Sequence, residues 1–132
     1  MIADPAIVEA WKTCGVQWAA LDLGCGSDAS RAQLGHRAMA EQLVFAAAVI
    51  RKAGVKLYAH VTAGLPLETE ADVAATEALL AACRPQSISA RLWRPCPGSP
   101  LWDAMRGRGV IEQAKPHPSN MTWVGPWVQG FP

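Results

Sequence analysis

A chain of 132 residues, 51% hydrophobic and 17% charged with a net charge of +1, has the composition of one globular domain able to bury a core. The near-neutral charge gives no electrostatic case for nucleic acid or a membrane surface. No apolar run approaches the ~20 residues that span a bilayer. The N-terminal "MIADPAIVEAW" lacks the basic-then-apolar order of a signal peptide, so the cytoplasm is the expected location.

Asp4 followed by Pro5 is a helix start, a capping side chain and then a proline at the first helical position. Gly15 stands where that helix should end. Val16 to Leu23, "VQWAALDL", reads as a buried strand. "GCGSD" is a turn in which Ser27 or Asp28 can cap the next segment, and Gly35 interrupts that segment. Met39, Leu43, Ala46, Ala47 and Ile50 share one face of a helix expected over Ala38 to Ala53, which Gly54 stops. Val55 to Ala63 is the second strand. Thr69 and Asp72 resemble a capping box opening a helix that runs to Cys83. Gln86 to Trp93 is the third strand, "RPCPGSP" a rigid turn, and Leu101 to Arg108 a short helix. The Pro- and Trp-rich tail from Lys115 has no clear periodicity.

Strands alternating with helices imply parallel pairing. The expected fold is α/β: a short helix, then three βα units. In such sheets the strand C-terminal ends carry the ligand site. Three turns fall there: "DLGCGSD", "TAGLPLE" and "RPCPGSP". Asp22, near a strand end, would hydrogen-bond a ligand if inward-facing and pair with a helix if outward-facing. Cys25 reads as a small residue filling a tight turn, His60 as a core or interface histidine and His36 as solvated. Arg91 and Arg94, three apart, should point to opposite faces of the third strand. Cys14, Cys25, Cys83 and Cys96 have no metal-ligand spacing and read as isolated thiols.

Taken together, the blocks "GCGSD", Glu41-Gln42, Ala53-Gly54, "GLPLET" with Asp72, and "PCPGSPLW" resemble the second half of the radical S-adenosylmethionine (SAM) enzyme core. There "ESGSD", "EQ", "AG", "GLPGET" with Asp, and "PYPGTPLY" recur at the same spacing. The similarity covers roughly Asp4 to Ile111 and is nearest to the subgroup containing cobalamin-dependent enzymes and methylthiotransferases. The resemblance implies residues 1–111 as half of a partial (β/α)6 TIM-like barrel, with 112–132 as a tail. It implies SAM as cofactor, held along Gly24 to Asp28, Thr62 to Glu68 and Leu92 to Pro95. With Asp22, the expected contacts are Gly24, Cys25, Ser27, Asp28, Thr62, Gly64, Pro66, Glu68 and Arg94.

The chain departs from the pattern in telling ways. It has no Cys-x3-Cys-x2-Cys loop, so no metal ligands are expected. A four-iron four-sulfur cluster would require a missing N-terminal half. Gly24 and Cys25 replace the segment that carries the family's ribose-binding Glu, and Leu67 replaces the second glycine of "GLPGE". The implied partner is an N-terminal half-barrel chain or a second copy, since three strands cannot close a barrel. Their inner face is expected to carry Val or Leu needing cover, partly from Trp123, Trp127 and Phe131. The alternative is a degenerate, non-catalytic nucleoside- or protein-binding domain of the same fold.

Overall fold

The computed structural model describes residues 3–94 and 96–108, with the backbone of 115–116 and 123–124. The chain divides into two compact units, Met1–Leu92 and Trp93–Pro132. In the first, Asp4 accepts from the Ala6 amide at 2.9 Å and Pro5 opens α1, Pro5–Thr13. Then follow β1 (Trp18–Gly24), α2 (Asp28–Gln33), α3 (Ala40–Lys52), β2 (Lys56–Ala63), α4 (Glu70–Cys83) and β3 (Ser87–Leu92). The strands form one parallel sheet in the order β1-β2-β3.

Several boundaries differ from expectation by one or two residues, β1 starting at Trp18 rather than Val16 among them. α3 begins at Ala40 rather than Ala38. The Gln42 side chain accepts from the Met39 amide and the Asp28 carboxylate from the Ala40 amide, both at 2.9 Å, so the free donors of the first turn are met there. β3 ends at Leu92, so Arg94 is not on the strand and the expected opposition of Arg91 and Arg94 does not arise. α4 ends as Arg84 enters the left-handed region at φ +49°, ahead of Pro85.

Period-two alternation divides the sheet residues between its faces. Leu23 of β1 and Leu57, Ala59 and Val61 of β2 are buried with Val8 of α1, Leu43, Ala46, Ala47 and Ile50 of α3, and Leu79 and Cys83 of α4. The opposite face presents Trp18, Ala20 and Asp22 of β1, Tyr58, His60 and Thr62 of β2, and Ser87, Ser89 and Arg91 of β3. The Lys56 ammonium sits 5.2 Å from the Trp18 ring centroid, and the Tyr58 and His60 rings meet edge to face. The expected apolar inner face is therefore overturned. The Leu and Val side chains of both strands point into the helical core, and the open face is polar and aromatic. On the helix side, register sets Ile88 beside Ala59 and Leu92 beside Ala63, where they remain 50% and 72% exposed.

Among the described residues both outer strands have an unpaired edge. Along β1 a groove of about 370 Å3 is lined by Trp18, Ala19, Ala20, Leu21 and Ile50 among others. In the second unit, Ser99 accepts from the Trp102 amide at 3.2 Å and Pro100 opens α5, Pro100–Gly107. Leu101, Trp102 and Met105 of α5 are buried. The backbones of Lys115–Pro116 and Trp123–Val124 pair antiparallel as β4 and β5. The side chains of Trp123, Trp127 and Phe131 lie outside the described residues. Among the described residues no helix is long and apolar enough to cross a membrane.

Candidate functional site

The turns after β1 and β2 leave the C-terminal ends of adjacent parallel strands. β1 ends in a register shift between Asp22 and Gly24, an irregularity that re-aims the chain leaving the sheet. The Asp22 carboxylate accepts from the Gly24 amide at 3.0 Å, and its other oxygen lies 3.8 Å from His36 Nε2. His36, expected to be solvated, thus leans on the turn, its side chain 29% exposed. Asp22 lies on the open face of the sheet, away from the helices. It is largely exposed and closes the turn onto its own backbone.

The rest of the first turn is pinned from inside. Arg31 of α2 is 1% exposed. Its Nη1 donates to the carbonyls of Cys25 at 2.5 Å and Gly26 at 3.1 Å, and its Nε to Ala38 at 3.1 Å. Its Nη2 is buried without a hydrogen bond and forms an ion pair with Asp28. Burial pushes the guanidinium down from its ordinary value. The Gly26 amide donates to Thr76 Oγ1 of α4 at 2.8 Å. A Cβ on Gly26 would lie 2.0 Å from backbone atoms of Ala75 and Thr76, so the glycine allows turn and helix backbones to touch. Ser27 caps α2 by accepting from the Ser30 amide at 3.4 Å, and Ser30 donates to Asp72 at 3.2 Å. Cys25 is fully buried. Burial, reinforced by Glu68 and Asp72 and opposed by Arg31, pushes its thiol up to about 11. It therefore stays protonated near neutral pH, unlike a reactive thiolate.

The second turn is built differently. Gly64 has φ +72°, and its amide donates to Glu68 Oε2 at 2.6 Å. Leu65 and Pro66 are buried. Leu67, at φ +67°, is 65% exposed. A branched side chain in the left-handed region is strained by about 1–2 kcal/mol, and this one gains little burial in return. Thr69 and Asp72 form the capping box: Asp72 accepts from the Thr69 amide at 3.0 Å and hydroxyl at 2.6 Å, and the Asp72 amide returns to Thr69 Oγ1 at 3.3 Å. Those bonds hold the Asp72 carboxyl below its usual range.

The expected site residues therefore divide. Gly24, Cys25, Ser27 and Asp28 serve the first turn and the caps of α2 and α3; Gly64, Pro66 and Glu68 build the second turn. Asp22 and half-buried Thr62 remain open toward solvent. Arg94 is exposed and belongs to the second unit, and Pro95 lies outside the described residues. Cys14 and Cys96 are exposed, Cys25 and Cys83 buried and free. Among the described residues no group of three His, Cys, Asp or Glu could hold a metal ion. The sequence reading missed Arg31, Ser30 and Thr76 as parts of this rim. An arginine followed within seven residues by Ala38, whose carbonyl it binds, carries no local mark of burial. No family model matches the chain, and no curated protein matches it.

Proposed function

We propose that this chain is one half of a radical SAM-type barrel, contributing part of the rim that holds the nucleoside and lacking the loop that binds the cluster. The observation that carries this reading is Leu67. The resembling pattern has glycine at this position, and Leu67 keeps φ +67°, the conformation that glycine adopts without strain. A turn that retains its backbone shape after losing its glycine points to a retained role for that shape. The donor set suits a nucleoside edge in part: Thr62, Asp22 and Glu68 offer oxygens near one sheet end. It does not suit a cluster, because the cysteines are scattered and two of them are buried. The free edge of β1 with its groove supports pairing with an N-terminal half-barrel or a second copy.

Calorimetry with S-adenosylhomocysteine tests the site. Weak binding that Gly64→Val abolishes is the expected result. Tight binding indifferent to that change would put the site elsewhere. Anaerobic reconstitution of the chain alone should give no cluster; about four irons per chain would defeat the reading. Light scattering should find a dimer, or a heterodimer when a chain bearing Cys-x3-Cys-x2-Cys is supplied. A well-behaved monomer at high concentration that ignores such a chain contradicts the half-barrel.

A second reading, a degenerate binding domain without catalysis, is favoured by one observation. The Gly24, Gly26 and Gly64 amides, which a cofactor would use, already donate to Asp22, Thr76 and Glu68. Nucleoside binding by the chain together with inactivity in every two-chain reconstitution would select it.

A further inference from the structure

The open face of the sheet carries a second constellation. His60 and Thr62 of β2 project opposite the buried Ala59 and Val61. Register puts Ser89 of β3 beside His60 and Arg91 beside Thr62. The four make a two-by-two block, about 5 Å across the strands and about 7 Å along them. His60, Thr62 and Ser89 are half-buried and Arg91 is exposed. None of the four side chains makes a hydrogen bond or ion pair among the described residues. Asp22 is the register neighbour of His60 on β1. Its carboxylate is engaged by the Gly24 amide and lies toward His36, leaving the block itself without an anionic group among the described residues.

A charged arginine at a sheet edge has an ordinary use in discouraging edge-to-edge pairing. That use accounts for Arg91 alone. It does not account for the three half-buried polar side chains on and beside the central strand, which among the described residues make no hydrogen bond and keep their polar atoms open to a ligand. A guanidinium fork, two hydroxyls and an imidazole N–H share one natural complement, a planar or tetrahedral oxyanion. We propose that this block binds the phosphate or carboxylate group of a small ligand, with Arg91 supplying the charge and His60, Thr62 and Ser89 the directional donors. The inference does not rest on the nucleoside reading of the rim.

Titrations of the full chain with sodium phosphate and with sodium acetate, at ionic strength held constant with chloride, test it by 15N–1H NMR. One of the two should saturably shift the His60 ring and the amides of Thr62, Ser89 and Arg91, and the tighter of them names the group. R91Q should weaken that binding by about ten- to hundredfold, as loss of a charged hydrogen bond does, while leaving the remaining spectrum native. T62V, close in shape, should weaken it by roughly three- to tenfold; it carries the test if R91Q fails to fold. Linear, non-saturating shifts overturn the proposal, as does saturation that neither variant alters. Shifts confined to Gly64 through Glu68 overturn it as well. A parallel titration with S-adenosylhomocysteine, read at those rim amides, separates failure of this block from failure of the rim.

Discussion

The two rim turns leave neighbouring strands at the same end of one sheet, yet they are stabilised in opposite ways. The first is closed from within. Its carbonyls are held by buried Arg31, its Gly26 backbone lies against α4, and its Cys25 is fully buried. The second is held by its own short-range bonds, Gly64 to Glu68 and Thr69 to Asp72, and it exposes a strained leucine. A turn tied to a distant helix has little freedom to reshape around a ligand. A turn tied mostly to itself, with Ser30 to Asp72 its one side-chain bond to another element among the described residues, retains more of that freedom, and strain at such places often accompanies function.

Four substitutions can break or sharpen this contrast. The largest effect is expected from Gly26→Ala. Its methyl would lie 2.0 Å from the α4 backbone, beyond what rotamer changes can relieve. Overpacking of this kind costs roughly 3 kcal/mol, read as a lower urea midpoint at unchanged m-value. Arg31→Met should follow at about 2–3 kcal/mol, because it leaves buried carbonyls of the first turn without donors. If it is neutral, the first turn is not held as described here.

Asp72→Asn acts on the second turn and should cost about 1 kcal/mol at neutral pH, the ordinary scale of a cap. Its pH signature is specific. The Thr69 hydrogen bonds hold the folded carboxyl below the usual carboxylate range, so the carboxylate stabilises the fold at pH above that range. This contribution is lost as pH falls from the unfolded value through the folded one. The deficit of the Asn variant should therefore shrink in acid, and a deficit constant down to pH 2 would contradict the assignment. The smallest effect, and the only one of opposite sign, is Leu67→Gly. Relief of the left-handed strain should outweigh the added chain entropy and stabilise by about 0.5–1 kcal/mol. Destabilisation would show that the Leu67 side chain contributes packing in spite of its exposure.

Much of the fold was legible where it depended on neighbours in sequence. Asp4 with Pro5, Thr69 with Asp72, and the stops after α3 and α4 are local chemistry, and all appear at the expected positions. The sheet faces differ from expectation because the Val and Leu of "VKLYAHVTA" belong to the helix side and not to the inner face. The alternation of Leu57, Ala59 and Val61 with Tyr58, His60 and Thr62 already marked a half-open strand. The site was less legible. Gly26 falls within the Gly24 to Asp28 turn expected to hold a ligand, and it lies against α4. Nothing between Gly26 and Thr76 announces that contact, because it exists only once β2 has formed beside β1. Asp28 could be read as a cap, but not as the cap of α3 through the Ala40 amide.

The bond between the Gly26 amide and Thr76 spans fifty positions, and this bears on the order in which the molecule assembles. Closing so long a segment is entropically unfavourable until intervening contacts hold its ends together. The tie between the first rim turn and α4 therefore forms only once β2 and α4 have docked, although Arg31 and Asp22 shape the turn locally. Once made, the bond opens only when α4 lifts from the turn. The Gly26 amide should accordingly exchange its hydrogen with solvent as slowly as amides in the middle of β2. The Gly64 amide, bonded to Glu68 four residues away, should exchange far sooner, by local opening that leaves the rest of the chain folded.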